Sequence, residues 1–295
     1  MTDERCIRLF LASIKSDITK KEYLKNLDRF KTFAKIGRYS ELLELDQKEL
    51  QSIVEDYILY LRETAHPNSI PTVYYPIQTF LEMNDVMINF KKIRRLFPAK
   101  VKTAVERGWT VEEIRKMLLV ANDTRSQAII HFENASGGRI GIFNGLKIKH
   151  LEEINDETYG KCYAIIGYAD EREEYITFLT SEAAKALDQY FEKRKADGEI
   201  LTQESPVFRE KYLIGSQPCK TIDSPALGEV VRRVIKKAGL RRKEHKKGNR
   251  YAIPANHGFR HRFDEIIKSV PGINPHIAEK MLAHTSRKIL VIDEA

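Results

Sequence analysis

His257-Gly258-Phe259-Arg260 is the stretch on which the reading of this chain turns. Leu282-Ala283-His284 lies downstream of it and Gly137-Gly138-Arg139 upstream. Two arginines and two histidines suit one chemical object. A guanidinium fork binds two phosphate oxygens at once and keeps its charge. A histidine titrates near neutrality, so it can take or give a proton. Together they fit a phosphodiester whose phosphorus gathers negative charge during a displacement.

Each residue also has a plainer reading. Arg139 is then a solvated residue after a glycine turn, although its apolar neighbours argue that it is held in place. His257, behind Pro254-Ala255-Asn256, is a helix cap, Arg260 one basic residue among many, and His284 a satisfied, half-buried histidine. His257 and His261 stand four apart and can share a helix face as metal ligands. The sequence sets no Cys, Asp or Glu convincingly beside them, so a metal site ranks below phosphate binding.

The bulk properties agree with an anionic partner. The 295 residues allow one large or two ordinary domains, and a hydrophobic share of 42% is enough for real cores. A net charge of +8 points to a polyanion, although basic balance also serves solubility. Cys6, Cys162 and Cys219 are far apart and form neither a metal spacing nor a disulfide framework. The polar N-terminus has no signal-peptide core behind it, and no apolar run approaches the ~20 residues of a membrane span. An intracellular, soluble, reduced protein without a membrane partner is expected.

The first ninety residues read as helices. Thr19-Lys20-Lys21-Glu22 is a capping box ahead of Tyr23, Leu24, Leu27, Phe30, Phe33 and Ala34, with Gly37 ending the run. Asp46 caps a second helix with the stripe Leu50, Ile53, Val54, Tyr57, Ile58 and Leu61; Pro67 and Asn68 break it. Ser69 and Pro71 start a third helix, with Pro76 inside it. Residues 1–90 are therefore expected to form a small helical bundle.

A basic linker over 91–107 follows, with Lys91, Lys92, Arg94, Arg95, Lys100 and Lys102. It is either a solvated tether or a strap across a phosphate backbone, and the local charge density favours the strap. A second domain is expected over 108–295. Thr110-Val111-Glu112-Glu113 caps one helix, and another runs roughly from Thr124 to Asn134. Tyr163–Ile166 and Tyr175–Phe178 read as a β-hairpin around a turn at 167–172, and Thr180 caps the next helix. A strongly basic helix and loop carry Arg232, Arg233, Lys236, Lys237, Arg241 and Arg242. So many like charges repel on a merely solvated face, which favours a nucleic-acid surface. The fold class is mainly α with a small β-sheet, α+β.

Four motifs in order resemble the tyrosine recombinases, or phage integrases, and within them the archaeal integrase-like branch. Ser136-Gly137-Gly138-Arg139-Ile140-Gly141 is similar to the first-arginine motif. The run from Arg172 to Thr180 resembles the hairpin strand that begins with the catalytic lysine. His257-Gly258-Phe259-Arg260 matches His-x-x-Arg, and Leu282-Ala283-His284-Thr285-Ser286 matches Leu-Gly-His-x-Ser with Ala283 in place of glycine. Each motif alone is weak; four in the family's order behind a basic helical region are a strong joint signal.

The resemblance implies a helical, SAM-like core-binding domain followed by a recombinase catalytic domain. It implies Arg139, Arg172, His257, Arg260 and His284 as the catalytic set, with His257 as general base. It implies strand cleavage through a phosphotyrosine intermediate, without cofactor, ATP or metal. Double-stranded DNA would be the partner, bound by a tetramer in the intact family form, in the cytoplasm and associated with the nucleoid.

Two positions depart from the family. Arg172 stands where the lysine is expected, and arginine is a poor proton donor. Lys161 on the preceding strand is a weak substitute. Asp293 stands where the nucleophilic tyrosine is expected, and no tyrosine follows Tyr251. The reading that follows is a recombinase domain truncated at its C-terminus and lacking its nucleophile. The alternative is a non-catalytic DNA-binding remnant or accessory protein acting with a complete recombinase partner.

Overall fold

A computed structural model of the chain describes residues 2–101, 107–210, 219–242, 246–247 and 250–283, with backbone alone at 246, 247 and 250. Two units divide the chain, Met1–Thr103 and Ala104–Ala295.

The regular elements among the first unit's described residues are all helices. It contains α1 (Asp3–Ala12), α2 (Asp17–Phe33), α3 (Tyr39–Glu44), α4 (Gln47–Thr64), a 3-10 turn at Pro67–Ser69, α5 (Ile70–Met83) and α6 (Phe90–Arg95). The apolar stripes converge on one core that includes Phe10, Leu27, Phe30, Val54, Ile58, Ile77 and Phe80. Each such side chain contributes about 1.5–3 kcal/mol when fully buried. α5 lies centrally, touching α1, α2 and α4, and it continues through Pro76.

Three sequence expectations shift here. α2 starts at Asp17, because Ser16 supplies the capping oxygen, accepting from the Thr19 N–H at 3.5 Å. The helix stops at Phe33, where Ala34 caps it and Lys35 turns left-handed at φ 56°, ahead of Gly37. The basic segment expected to be linker from residue 91 begins as α6. Phe90 and Ile93, three apart, drop into the core, and Asn89 caps the turn by accepting from the Lys92 N–H at 2.9 Å.

The second unit begins with α7 (Val111–Val120) and α8 (Thr124–Ser136), followed by 3-10 turns at Ile140–Asn144 and Ile148–His150. Next come β1 (Leu151–Asp156), β2 (Gly160–Gly167), β3 (Tyr175–Leu179), α9 (Ser181–Ala196), α10 (Ser224–Lys237), β4 (Lys246–Lys247), β5 (Arg250–Tyr251), α11 (His257–Ser269) and α12 (Pro275–Met281). The expected hairpin forms, with Tyr163 opposite Leu179 and Gly167 opposite Tyr175. A further strand, β1, pairs antiparallel with β2 in the order β1-β2-β3. Its residues are largely exposed and charged, so no apolar alternation marks it. The capping box at Thr110 forms as expected. α8 is surrounded by α7, α9, α10, α11 and β3. Its C-terminal end and the start of α11 deliver the motif residues.

Candidate phosphate-binding site

α8 ends on Gly137 in the left-handed region at φ 57°. A Cβ there would lie 2.4 Å from the Phe263 ring, so backbone and packing both demand glycine. Thr177 on β3 pins the same turn by donating its hydroxyl to the Ser136 carbonyl at 2.7 Å. The chain then emerges through Gly138 to Arg139, whose Nη2 donates to the Ala283 carbonyl at 3.0 Å.

Several contacts fix the first turn of α11. The Trp109 N–H donates to the Gly258 carbonyl at 3.2 Å, and its indole Nε1–H donates to the Ala255 carbonyl at 2.9 Å. Asn256 donates through Nδ2 to Glu133 Oε1 at 2.6 Å, which ties this turn to α8. Gly258 permits the approach, since a Cβ would sit 2.6 Å from the Trp109 Nε1.

Arg260 is buried beneath this turn. Its Nη1 donates to the Gly137 carbonyl at 3.0 Å, and its Nη2 donates to the Leu282 carbonyl. Burial and then the charge of Arg139 lower its pKa from the ordinary arginine value. Like charges have thus been brought together. Among the described residues no carboxylate pairs with either guanidinium; backbone carbonyls alone accept from them. Such a pair is suited to an oxyanion.

His257 stands exposed at the start of α11, its ring edge-on to His261 with centroids 4.7 Å apart. Among the described residues no three His, Cys, Asp or Glu side chains converge into a metal-holding group.

The architecture has solved counterparts. The chain superposes on a lambda integrase fragment in a dimer bound to a COC′ core site, with a TM-score of 0.64 at 14% identity over 97% of this chain and 91% of that one. A lambda integrase tetramer bound to a Holliday junction gives 0.63 at 14% identity over 97% and 77%. The Tn1549 transposon integrase in complex with transposon right-end DNA gives 0.61 at 14% identity over 95% and 91%. This is the tyrosine recombinase fold. No protein-family model matches the sequence, and no curated protein matches it either.

On this recombinase fold the remaining predicted residues fall in different places. Arg172 is exposed in the turn between β2 and β3, three residues before β3 begins, and not on the strand itself. It lines a 640 Å³ cleft with Ile176, Phe178, Ile277 and Ala283. Lys161 is committed elsewhere, 3.0 Å from Glu153 and 2.9 Å from Asp188. Burial pulls its pKa down, but hydrogen bonds with Tyr163, Asp188 and Glu153 outweigh this and hold the ammonium above its ordinary value. It is therefore a poor proton donor. His284 and Asp293 lie outside the described residues.

Of the basic residues expected to face DNA, Lys91, Arg94, Arg95 and Lys100 are exposed, while Lys92 pairs with Glu55 at 2.7 Å. Lys102 lies outside the described residues. On α10, Arg232, Arg233, Lys236 and Lys237 are exposed while Leu227, Val231, Val234 and Ile235 are buried, so this helix presents one basic face. Arg232 shares its charge with Glu229 at 2.9 Å. Arg242 is exposed and Arg241 half-buried.

Sequence reasoning missed Tyr168, Tyr175 and Glu133. The Tyr175 hydroxyl is buried beside Gly138 and the Arg139 backbone without a well-formed hydrogen bond, and burial pushes its pKa up to about 12. Tyr168 packs against Gly141, and burial raises its phenol too, against the pull of Arg139. Neither phenol is prepared as a nucleophile. Glu133 is one of many polar residues in its helix; only the fold shows that burial raises its carboxyl to about 8.

Proposed function

We propose that this chain binds duplex DNA and that the Arg139–Arg260 pair receives a backbone phosphate. The reaction such a site serves is strand breaking and rejoining, as in a site-specific recombinase or integrase. The observation that carries the reading is two adjacent guanidiniums, one of them buried, partnered among the described residues by backbone carbonyls alone. In that reaction a tyrosine hydroxyl attacks phosphorus, the bond to the 5′ oxygen breaks, and a 3′-phosphotyrosine holds the strand. The arginines stabilise the charge on the equatorial oxygens. His257, exposed at the rim, takes the proton of the attacking hydroxyl.

Cleavage further needs a tyrosine and a proton donor for the 5′ oxygen. Within the 295 residues no tyrosine follows Tyr251, and Asp293 occupies the position where the family resemblance places one. We assign the nucleophile to a complete recombinase partner or to a tyrosine-bearing segment supplied to this chain. The first unit, with its exposed α6 cations, serves as the core-binding half, and the basic face of α10 adds phosphate contacts. Membership of the archaeal integrase-like branch, a cytoplasmic, nucleoid-associated place and a tetramer on DNA belong to the same reading and rest on the motif resemblance.

Incubation with suicide duplex substrates, followed by denaturing gels, tests this reading. The 295-residue chain should bind duplex in a salt-sensitive manner and give no covalent adduct alone. Appending a tyrosine-bearing C-terminal segment should produce one. Duplex binding indifferent to salt would sink the proposal. A second reading, a DNA-binding remnant that only occupies sites, is favoured by Arg172 standing on an exposed turn. It predicts no adduct even with the added segment.

A further inference from the structure

Arg241, just past α10, is held between two aromatic rings, with its Cζ 4.3 Å from the Tyr251 ring centroid and 5.3 Å from that of Trp109. Ring contacts address the faces of a guanidinium, whereas its N–H edges need acceptors. Among the described residues Arg241 makes no hydrogen bond and no ion pair beyond those two ring contacts. Burial pulls its pKa below the ordinary arginine value, and the charge interaction with the Tyr251 hydroxyl offsets this only in part.

A cavity of about 410 Å³ opens beside it, with Arg107, Glu113, Lys116 and Arg242 also on its wall. Glu113 is already engaged by Arg107 in a fork-to-fork pair at 2.8 and 2.7 Å. It therefore does not neutralise Arg241 or the exposed Lys116, and the wall keeps an excess of positive charge. The aromatic clamp fixes the guanidinium plane in advance, so less rotamer freedom is lost when an anion arrives.

We infer that this cavity seats a second phosphate of the bound DNA backbone, held edge-on by Arg241 with Lys116 at its rim. The inference rests on the reading of duplex DNA as the ligand. Trp109 gives the seat a mechanical consequence. The indole that stacks on Arg241 also donates to Ala255, and the Trp109 backbone donates to Gly258. One residue thus joins this seat to the turn that carries His257 and Arg260. A phosphate held here sets the register of α11 on the DNA.

Trp109 is the single tryptophan of the chain, so its emission reports on the Arg241 stack directly. The test titrates the full chain with a labelled duplex and follows tryptophan emission and label anisotropy together, with inorganic pyrophosphate as a separate titrant. The two signals should saturate at the same duplex concentration. Arg241→Gln should weaken duplex binding on the order of tenfold, the low end for one charge-assisted contact, and lower the salt slope by about 1. Lys116→Gln, on an exposed side chain, should lower the slope by a similar amount with no change in thermal stability, which keeps the test decisive should Arg241→Gln unfold.

Anisotropy that rises while Trp109 emission stays fixed, with both variants binding like the parent, overturns the seat and leaves the DNA reading standing. No rise in either signal overturns the DNA reading, and the seat with it. An emission response to pyrophosphate without one to duplex contradicts the assignment to backbone phosphate and makes the cavity a site for a free polyphosphate.

Discussion

Arg194 and Arg260 are both buried, 0% and 5% exposed, yet their surroundings differ in kind. Arg194 on α9 meets Glu199, its Nε donating to Oε2 at 2.9 Å, and its Nη1 donates to the carbonyls of Pro206 and Val207 at 2.7 and 3.0 Å. Arg209 joins the same carboxylate at 3.0 Å. Burial pushes the Glu199 carboxyl up, but the hydrogen bond and charge of Arg194, with help from Cys219 and Arg209, together outweigh it and hold the pKa low. Arg260 has Arg139 for a neighbour instead, and its pKa falls through burial and that repulsion. A buried guanidinium with its carboxylate holds the α9 end and the 206–207 strand-like segment together. A buried guanidinium beside another one has backbone carbonyls as its hydrogen-bond partners among the described residues, with Tyr175, Asp264 and Tyr168 adding attraction from nearby, and on the reading proposed above it receives an oxyanion.

The largest expected effect lies on the structural side of this comparison. Arg194→Ala leaves Glu199 with Arg209 and Cys219 but without its main cation, and breaking a buried pair costs about 3–5 kcal/mol. Chemical denaturation should show that loss, while the duplex affinity of the molecules still folded stays at the parent value. A large loss of affinity without loss of stability would erase the distinction between the two sites.

Glu133 sharpens the comparison from the opposite sign, being a buried carboxyl with no cation. Burial raises it to about 8 from the ordinary 4.5, so the folded chain binds this proton more tightly than the unfolded chain does. Its stabilising share is full below the unfolded value and is lost as pH rises through about 8. Thermal unfolding between pH 5 and pH 9 (roughly the window spanned by the two values) should therefore show a decline on the order of a few kcal/mol. Glu133→Gln accepts from Asn256 without titrating and should flatten that decline.

Gly137→Ala strikes the hinge of the site. The left-handed φ of 57° and the Phe263 ring 2.4 Å from a new Cβ predict a loss of roughly 1–3 kcal/mol by urea unfolding. The smallest stability effect is expected from Arg139→Ala. Among the described residues it hydrogen-bonds the Ala283 carbonyl and forms no ion pair, so the change should stay within about 1 kcal/mol. A loss as large as that from Arg194→Ala would mean that Arg139 is structural.

Much of this was legible in the sequence, and the reasons for success and failure are physical. The apolar stripes of α2, α4 and α7 are periodic, so the helices could be read; the motif resemblance pointed to Arg139 and Arg260, which the fold places close enough for their charges to interact. β1 was not legible because its exposed, charged residues carry no alternation. α6 hid inside a run of cations because its apolar face is a single pair, Phe90 and Ile93. Glu133, Tyr175 and Trp109 were missed for another reason. Their meaning comes from residues more than a hundred positions away, or, for Tyr175, from the Gly138–Arg139 turn after α8, and no local pattern encodes such contacts. The ring clamp on Arg241 was hidden likewise: in sequence it is one cation in a basic run.

The central claim is that Arg139 and Arg260 contact a DNA phosphate. Its most direct test is the salt dependence of duplex affinity for the parent and the Arg139→Ala chain, measured side by side. Losing one phosphate contact should reduce the slope of log K against log salt by about 0.9 for B-form DNA, alike on unrelated sequences. An identical slope for the two chains would contradict the account.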